Sequence, residues 1–90
     1  MSKLLPPTAE QLQAARAEAE RRVREATPPI TQAQLDLFAM RANGHRVKTG
    51  GDAMGLSEKA ALRHMAAAAQ SLGTSSSWET LAVLLRAGLI

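Results

Sequence analysis

Helix start and stop signals recur along this chain and divide it into short segments. A threonine followed three residues later by a glutamine, the capping-box pattern of a helix N-terminus, occurs at Thr8 and again at Thr31. Helical patterning is broken at Pro28-Pro29, Asn43-Gly44, Gly73 and Gly88. The apolar residues are mostly Ala, Leu, Met and Val, and Phe38 and Trp78 are the only aromatics. These start and stop signals, together with the composition, predict an all-α fold, a small bundle of four or five helices.

The first segment predicts a charged helix from Thr8 to Ala26, within an N-terminal arm at residues 1–29. Its four arginines and four glutamates cancel in charge. A stripe of apolar residues at helical spacing consists of Leu12, Ala15, Ala19, Val23 and Ala26. Because alanine dominates this stripe, its burial would stabilise little. The sequence leaves three roles open: packing on the domain, extending as an arm, or pairing with a second copy.

The second helix is expected to begin after Thr31, with a buried stripe of Leu35, Phe38, Ala39 and Ala42. From His45 to Gly55 we expect only a short or frayed helix, because the tandem Gly50-Gly51 costs a helix roughly 2 kcal/mol relative to alanines. Its apolar anchors would be Val47, Ala53 and Met54.

Two more helices are predicted near the C-terminus. Ser57 is the expected N-cap of the fourth helix, which ends at Gly73. Its stripe at helical spacing is Ala61, Met65, Ala68 and Leu72. The last helix runs from Ser77 to Ala87, with Leu81, Leu84 and Leu85 as its apolar residues.

Several classes of protein are disfavoured by what the sequence lacks. It has no cysteine, so disulfides and thiolate metal sites are excluded. It has no apolar run of membrane-spanning length, and its first residues lack the apolar region of a signal peptide, so we expect a cytoplasmic protein without membrane contact. No nucleophile elbow, phosphate-binding loop or metal-ligand spacing is present. We therefore expect neither an enzyme nor a bound cofactor or metal.

The positive charge of the chain is concentrated in one segment. The formal net charge is +3. Residues 41–66 account for all of it, since they hold two carboxylates, Asp52 and Glu58, and five cations: Arg41, Arg46, Lys48, Lys59 and Arg63. Such local excess is typical of a surface that meets an anionic partner, although each charge alone is most often an ordinary solvated one.

From Ile30 to Ile90 the chain resembles, without a gap, the helix-turn-helix domain of the LuxR/GerE family. The first helix opens on Ile30-Thr31, and the turn before the recognition helix is matched by Met54-Gly55-Leu56-Ser57. The recognition helix is matched at Glu58-Lys59 and at His64. Further matches are Asp36, Leu37, Phe38, Gly44, Leu72-Gly73, Glu79 and the closing Arg86-Ala87-Gly88-Leu89-Ile90. The resemblance implies a DNA-binding domain at 30–90.

Three departures from the family pattern bear on that function. Gly50-Gly51 occupies two positions that are apolar in the family and that hold the two helices of the motif together. Leu62 stands where many members have a lysine that reaches DNA, and Ala66 replaces a second polar contact. Neither side chain can make the bidentate hydrogen bonds that usually read base edges. The usual receiver or ligand-sensing domain is replaced by the charged first helix.

The resemblance leads us to expect a stand-alone transcriptional regulator that binds double-stranded DNA. Lys59 and Arg63, four residues apart on one helical face, would read bases, while Arg41, Arg46 and Lys48 would hold the backbone. His64 could touch a phosphate or pack within the domain. In the family the closing helix also forms the dimer contact, so the expected homodimer surface is Trp78, Leu81, Val83, Leu85 and Ile90.

The departures also support an alternative function. A chain that has lost base reading could retain the closing helix and act as a protein-interaction module, an antiactivator or adaptor. Its partner would be a LuxR-type regulator or RNA polymerase. Leu62, Ala66 and the tandem glycines favour this alternative, whereas the basic segment favours DNA.

Overall fold

The computed structural model describes residues 5–90, which form five helices and no strand. The helices are α1 (Ala9–Arg24), α2 (Gln32–Ala42), α3 (Val47–Ala53), α4 (Glu58–Leu72) and α5 (Ser77–Arg86). The predicted all-α bundle with an additional N-terminal charged helix is confirmed. The first four residues of the predicted arm at 1–29 lie outside the described residues. None of the five helices combines the length and apolar character needed to cross a bilayer.

The helices begin at the predicted caps. At Thr8 the backbone amide donates to Gln11 Oε1 at 2.8 Å, and the Gln11 amide donates back to the threonine hydroxyl at 3.1 Å. Thr31 forms the same reciprocal pair with Gln34. The Ser57 hydroxyl accepts the Ala60 amide at 3.1 Å. Each cap satisfies amides that have no partner within the helix, which is why these local signals decide where the helices begin.

The core lies between α2, α4 and α5. Its largest fully buried side chains are Phe38, Leu37, Leu84 and Thr80. The predicted α4 stripe of Ala61, Met65, Ala68 and Leu72 is buried throughout and faces this core. Because three of its sides contact α2, α3 and α5, α4 is the central helix, and only its remaining face meets solvent.

The first helix packs on α5, and its N-terminal end projects beyond that contact. Ala19 is 2% exposed, whereas Leu12, predicted to lie on the same apolar face, is 57% exposed. Because α5 has 10 residues and α1 has 16, α5 covers only part of that face. The projecting end also explains a radius of gyration of 14.4 Å, compared with about 12 Å for a compact chain of this length.

The tandem glycines are buried in a regular short helix. A Cβ on Gly51 would lie 3.0 Å from the Leu56 carbonyl oxygen and 3.3 Å from Ala61 Cβ. The absence of a side chain therefore lets α3 approach the following turn and α4 more closely than alanine would. The short helix was predicted, and the close approach at Gly51 packs it against the following turn and α4.

Two alanines predicted to be buried are exposed. Ala42 and Ala53 are each the last residue of their helix, α2 and α3, where neighbouring helices no longer cover the surface. Leu37 takes the place of Ala42 in the α2 core stripe, and the two glycines take the place of Ala53 in α3. Helical spacing therefore predicted the helices correctly, but it did not show how far along each helix the neighbouring helices bury its surface.

Candidate nucleic-acid interface

The turn between α3 and α4 is closed by three backbone hydrogen bonds. The Leu56 amide donates to the Gly51 carbonyl at 2.7 Å, and the Met54 amide donates to the same carbonyl at 3.0 Å. The Gly55 amide donates to the Asp52 carbonyl at 3.1 Å, and Gly55 adopts a φ of 72°, which glycine tolerates best. With Ser57 capping α4 immediately afterwards, α3, the turn and α4 form one continuous packed unit.

The solvent face of α4 carries two predicted readers. Lys59 and Arg63 are exposed, four residues apart, and lie opposite the buried stripe. Both can therefore contact the same approaching surface. His64 is only partly exposed and lies on a different flank, where it shares a shallow depression with Ala60, Arg63 and Ala67. The structure thus places Arg63 next to both predicted contacts: Lys59 lies one turn earlier on the solvent face, and His64 lines the same depression as Arg63.

The remaining predicted cations meet at a groove beside α4. Arg41, Arg46 and Lys48 line an open groove of about 370 Å³, together with Val47, Glu58 and Leu62. Arg41 comes from the end of α2 and donates through Nη1 to the His45 carbonyl at 2.8 Å, which leaves its other donors available. Three cations, one carboxylate and two apolar side chains therefore line the same groove. This combination was not evident from the sequence because its residues come from three elements.

Every ion pair of the described residues lies at the other end of the bundle. Arg21 contacts Glu18 at 2.6 Å and Glu25 at 2.8 Å, while Arg22 contacts Glu18 at 3.4 Å and Glu79 at 3.3 Å. None of the five cations at 41–66 takes part in an ion pair within residues 5–90. Arg21 and Arg22 of α1 are thus paired with carboxylates, whereas the positive charge around α4 remains available to an external anion.

Hydrogen bonds stabilise the charged forms of two carboxylates at the α1–α5 end. The Arg21 guanidinium lowers the pKa of Glu18 by hydrogen bonding to its carboxylate, and Glu18 in turn raises the pKa of Arg21. The pKa of Glu79 is lowered first by the Ser75 hydroxyl and amide, at 2.8 and 3.1 Å, and then by Arg22. Glu79 thereby connects the start of α5 to α1.

The predicted protein-interface residues do not all reach the surface. Trp78 is 76% exposed and Leu85 is 47% exposed. Leu81 and Ile90 are partly buried, and Val83 is only 5% exposed because it faces α1. The indole of Trp78 borders a cleft of about 260 Å³ lined also by Phe38, Arg41, Met65, Ser77 and Leu81. The exposed part of the predicted surface is therefore the edge with Trp78 and Leu85.

The described residues offer no constellation for metal chemistry. Among residues 5–90, no three histidine or carboxylate side chains converge where a metal ion could be held. No protein-family model, curated protein or solved structure matched the chain. The main polar feature of the described surface is the group of five cations at 41–66, which take part in no ion pair among residues 5–90.

Proposed function

We propose that this chain is a DNA-binding transcriptional regulator that inserts α4 into the major groove. One observation carries the proposal: the five cations at 41–66 are exposed, take part in no ion pair among the described residues, and surround the solvent face of α4. A major groove about 12 Å wide accepts a helix of this kind. A row of phosphates can contact several separate cations at once, and each contact favours binding because it releases condensed counterions.

In this arrangement the cations divide into two roles. Lys59 and Arg63 project from the N-terminal half of α4, the part of a recognition helix that reaches base edges. Arg41, Arg46 and Lys48 lie beside it and would contact phosphates of the flanking backbone. Two copies joined through their C-terminal helices would read half-sites about one helical turn apart.

The test is the salt dependence of binding to a random-sequence DNA duplex, measured by fluorescence anisotropy. Replacing Lys59 and Arg63 together with alanine should weaken binding. The slope of log affinity against log salt should also fall in magnitude, because two cations at the DNA surface no longer displace condensed counterions.

A matched control separates specific contacts from net charge. Arg16 and Arg24 are exposed residues of α1 that take part in no ion pair, so replacing both with alanine removes the same formal charge elsewhere. This variant should keep the slope of the unmodified protein. An equal loss of DNA affinity in the two variants would reject α4 as the DNA-facing helix. If the unmodified protein did not bind DNA at low salt, DNA binding by this chain alone would be rejected.

A second function, a protein-interaction module of antiactivator or adaptor type, is favoured by the exposed Trp78. A large apolar side chain next to a cleft is a common anchor of protein interfaces. Its partner would be a LuxR-type regulator or RNA polymerase. On this hypothesis Trp78→Ala should abolish partner binding, whereas the double replacement of Lys59 and Arg63 should leave it intact. The two functions thus predict opposite sensitivities, which affinity measurements on the same variants distinguish.

A further inference from the structure

The solvent face of α4 carries an apolar strip beside its cationic one. Leu62 is 49% exposed, and Ala66, one turn further along the helix, is exposed as well. The strip lies between two sets of cations: Lys59 and Arg63 on the same helix, and the groove formed by Arg41, Arg46 and Lys48. Any polyanion held by both sets has to pass over Leu62.

Exposure alone does not make Leu62 unusual, since isolated leucines are common on protein surfaces. Leu85 is 47% exposed, nearly the same fraction, but it is absent from the cationic groove. What distinguishes Leu62 is that it lines the groove that Arg41, Arg46 and Lys48 also line, none of which takes part in an ion pair among the described residues. If phosphates contact those cations, the group that meets Leu62 is the edge of a base.

A leucine cannot donate or accept a hydrogen bond, so it can select a base only by apolar contact. In the major groove the apolar group at a base edge is the C5-methyl of thymine, and the other groups there are hydrogen-bond donors and acceptors. Placing Leu62 against any other base would desolvate those polar groups without giving them a partner. Burial of a methyl against leucine is favourable, and each contacted methyl changes affinity by about fourfold.

We propose that Leu62, assisted by Ala66, selects thymine by packing against its C5-methyl group. This inference rests on the proposed DNA-binding function. Where a lysine at this position would donate hydrogen bonds to acceptors at the base edge, the apolar side chain of Leu62 would contact methyl groups. The expected operator is therefore rich in A·T pairs at the positions opposite the strip.

The test uses two DNA duplexes that differ only in that methyl group. One alternates adenine and thymine, and the other carries uracil in place of every thymine. The unmodified protein should bind the thymine duplex about fourfold more tightly for each methyl contacted. Leu62→Ala should bring the ratio of the two affinities close to one. Leu12→Ala, which removes a leucine of α1 that is 57% exposed, is the matched control and should leave the ratio unchanged.

The outcomes separate this inference from the proposed function. If the unmodified protein bound both duplexes with equal affinity, thymine selection would be overturned and DNA binding would stand. This result is expected if Leu62 contacts an acidic apolar protein segment instead of DNA. A preference that persists in Leu62→Ala would assign it to duplex shape and also overturn the inference. Absence of binding to both duplexes at low salt would reject the DNA-binding function itself. Alanine is the strongest helix former, so Leu62→Ala should fold, which circular dichroism checks directly.

Discussion

Gly50 and Gly51 provide a test of how tightly α3 is held against α4, because they are adjacent and buried but have different surroundings. A Cβ at Gly50 would lie 3.6 Å from Met40 Cβ, which is ordinary van der Waals contact. A Cβ at Gly51 would lie 3.0 Å from the Leu56 carbonyl oxygen and 3.3 Å from Ala61 Cβ. The same substitution to alanine should therefore stabilise the protein at Gly50 but not at Gly51.

The magnitudes follow from two opposing contributions. Alanine in place of glycine within a helix gains about 1 kcal/mol at either position. At Gly50 nothing opposes that gain, so the free energy of unfolding should rise by about 1 kcal/mol. At Gly51 overpacking costs about 1–3 kcal/mol. The neighbours of the added Cβ cannot easily move away, because Ala61 is fully buried and the Leu56 amide is hydrogen bonded to the Gly51 carbonyl at 2.7 Å. Gly51→Ala should be neutral or destabilised by up to about 2 kcal/mol.

Thermal unfolding followed by circular dichroism measures both variants. For a domain of this size, 1 kcal/mol corresponds to a shift in Tm of about 4–8 °C. Gly50→Ala should melt higher by that amount, and Gly51→Ala should melt at the same temperature or lower. If Gly51→Ala raised the Tm as much as Gly50→Ala does, the close approach of α3 to the turn and α4 would be refuted.

Three further substitutions test other parts of the fold. Because hydrogen bonds from Ser75 lower the pKa of Glu79, its carboxylate contributes stability that is present above the unfolded-state pKa and is lost as pH falls through the folded-state value. Glu79→Gln should lower stability at neutral pH and flatten its dependence on acid pH in denaturation titrations; an unchanged acid profile would contradict this. Ser57→Ala should lower the free energy of unfolding by about 1 kcal/mol in the same titrations, and no loss would argue against the cap. Trp78→Ala should change that free energy by less than about 0.5 kcal/mol, because the indole is 76% exposed, and a larger loss would show that it packs in the core.

The helices could be predicted because their boundaries are decided by neighbours in sequence. The Thr8 and Thr31 caps require only a glutamine three residues later, and both formed as predicted. The left-handed turn at Gly73, with a φ of 67°, is equally local. The buried α4 stripe followed from helical spacing because α4 is covered along its whole length. Local chemistry thus accounts for most of the secondary structure.

What could not be predicted depends on contacts between distant segments. Leu12 follows the same spacing as Ala19, yet only the structure reveals that α5 ends before it can cover Leu12. Gly51 resembled a defect until its distance to Leu56 became known. The same limit applies to the candidate site: the excess of positive charge was visible in the sequence, but the groove that joins Arg41 to Leu62 depends on how α2 packs beside α4.

The packing of α1 also changes what can be expected of α5 as a dimer surface. Val83, one of the predicted dimer residues, faces Ala15 and Ala19 of α1, so that side of α5 is already covered within one chain. The side with Trp78 and Leu85 remains exposed. A homodimer through α5 must therefore use the tryptophan edge or displace α1. Its displacement would expose the buried Ala19 and break the Arg22–Glu79 pair. The first helix is thus packed on the domain, and any partner that docked on the Val83 side of α5 would have to displace it.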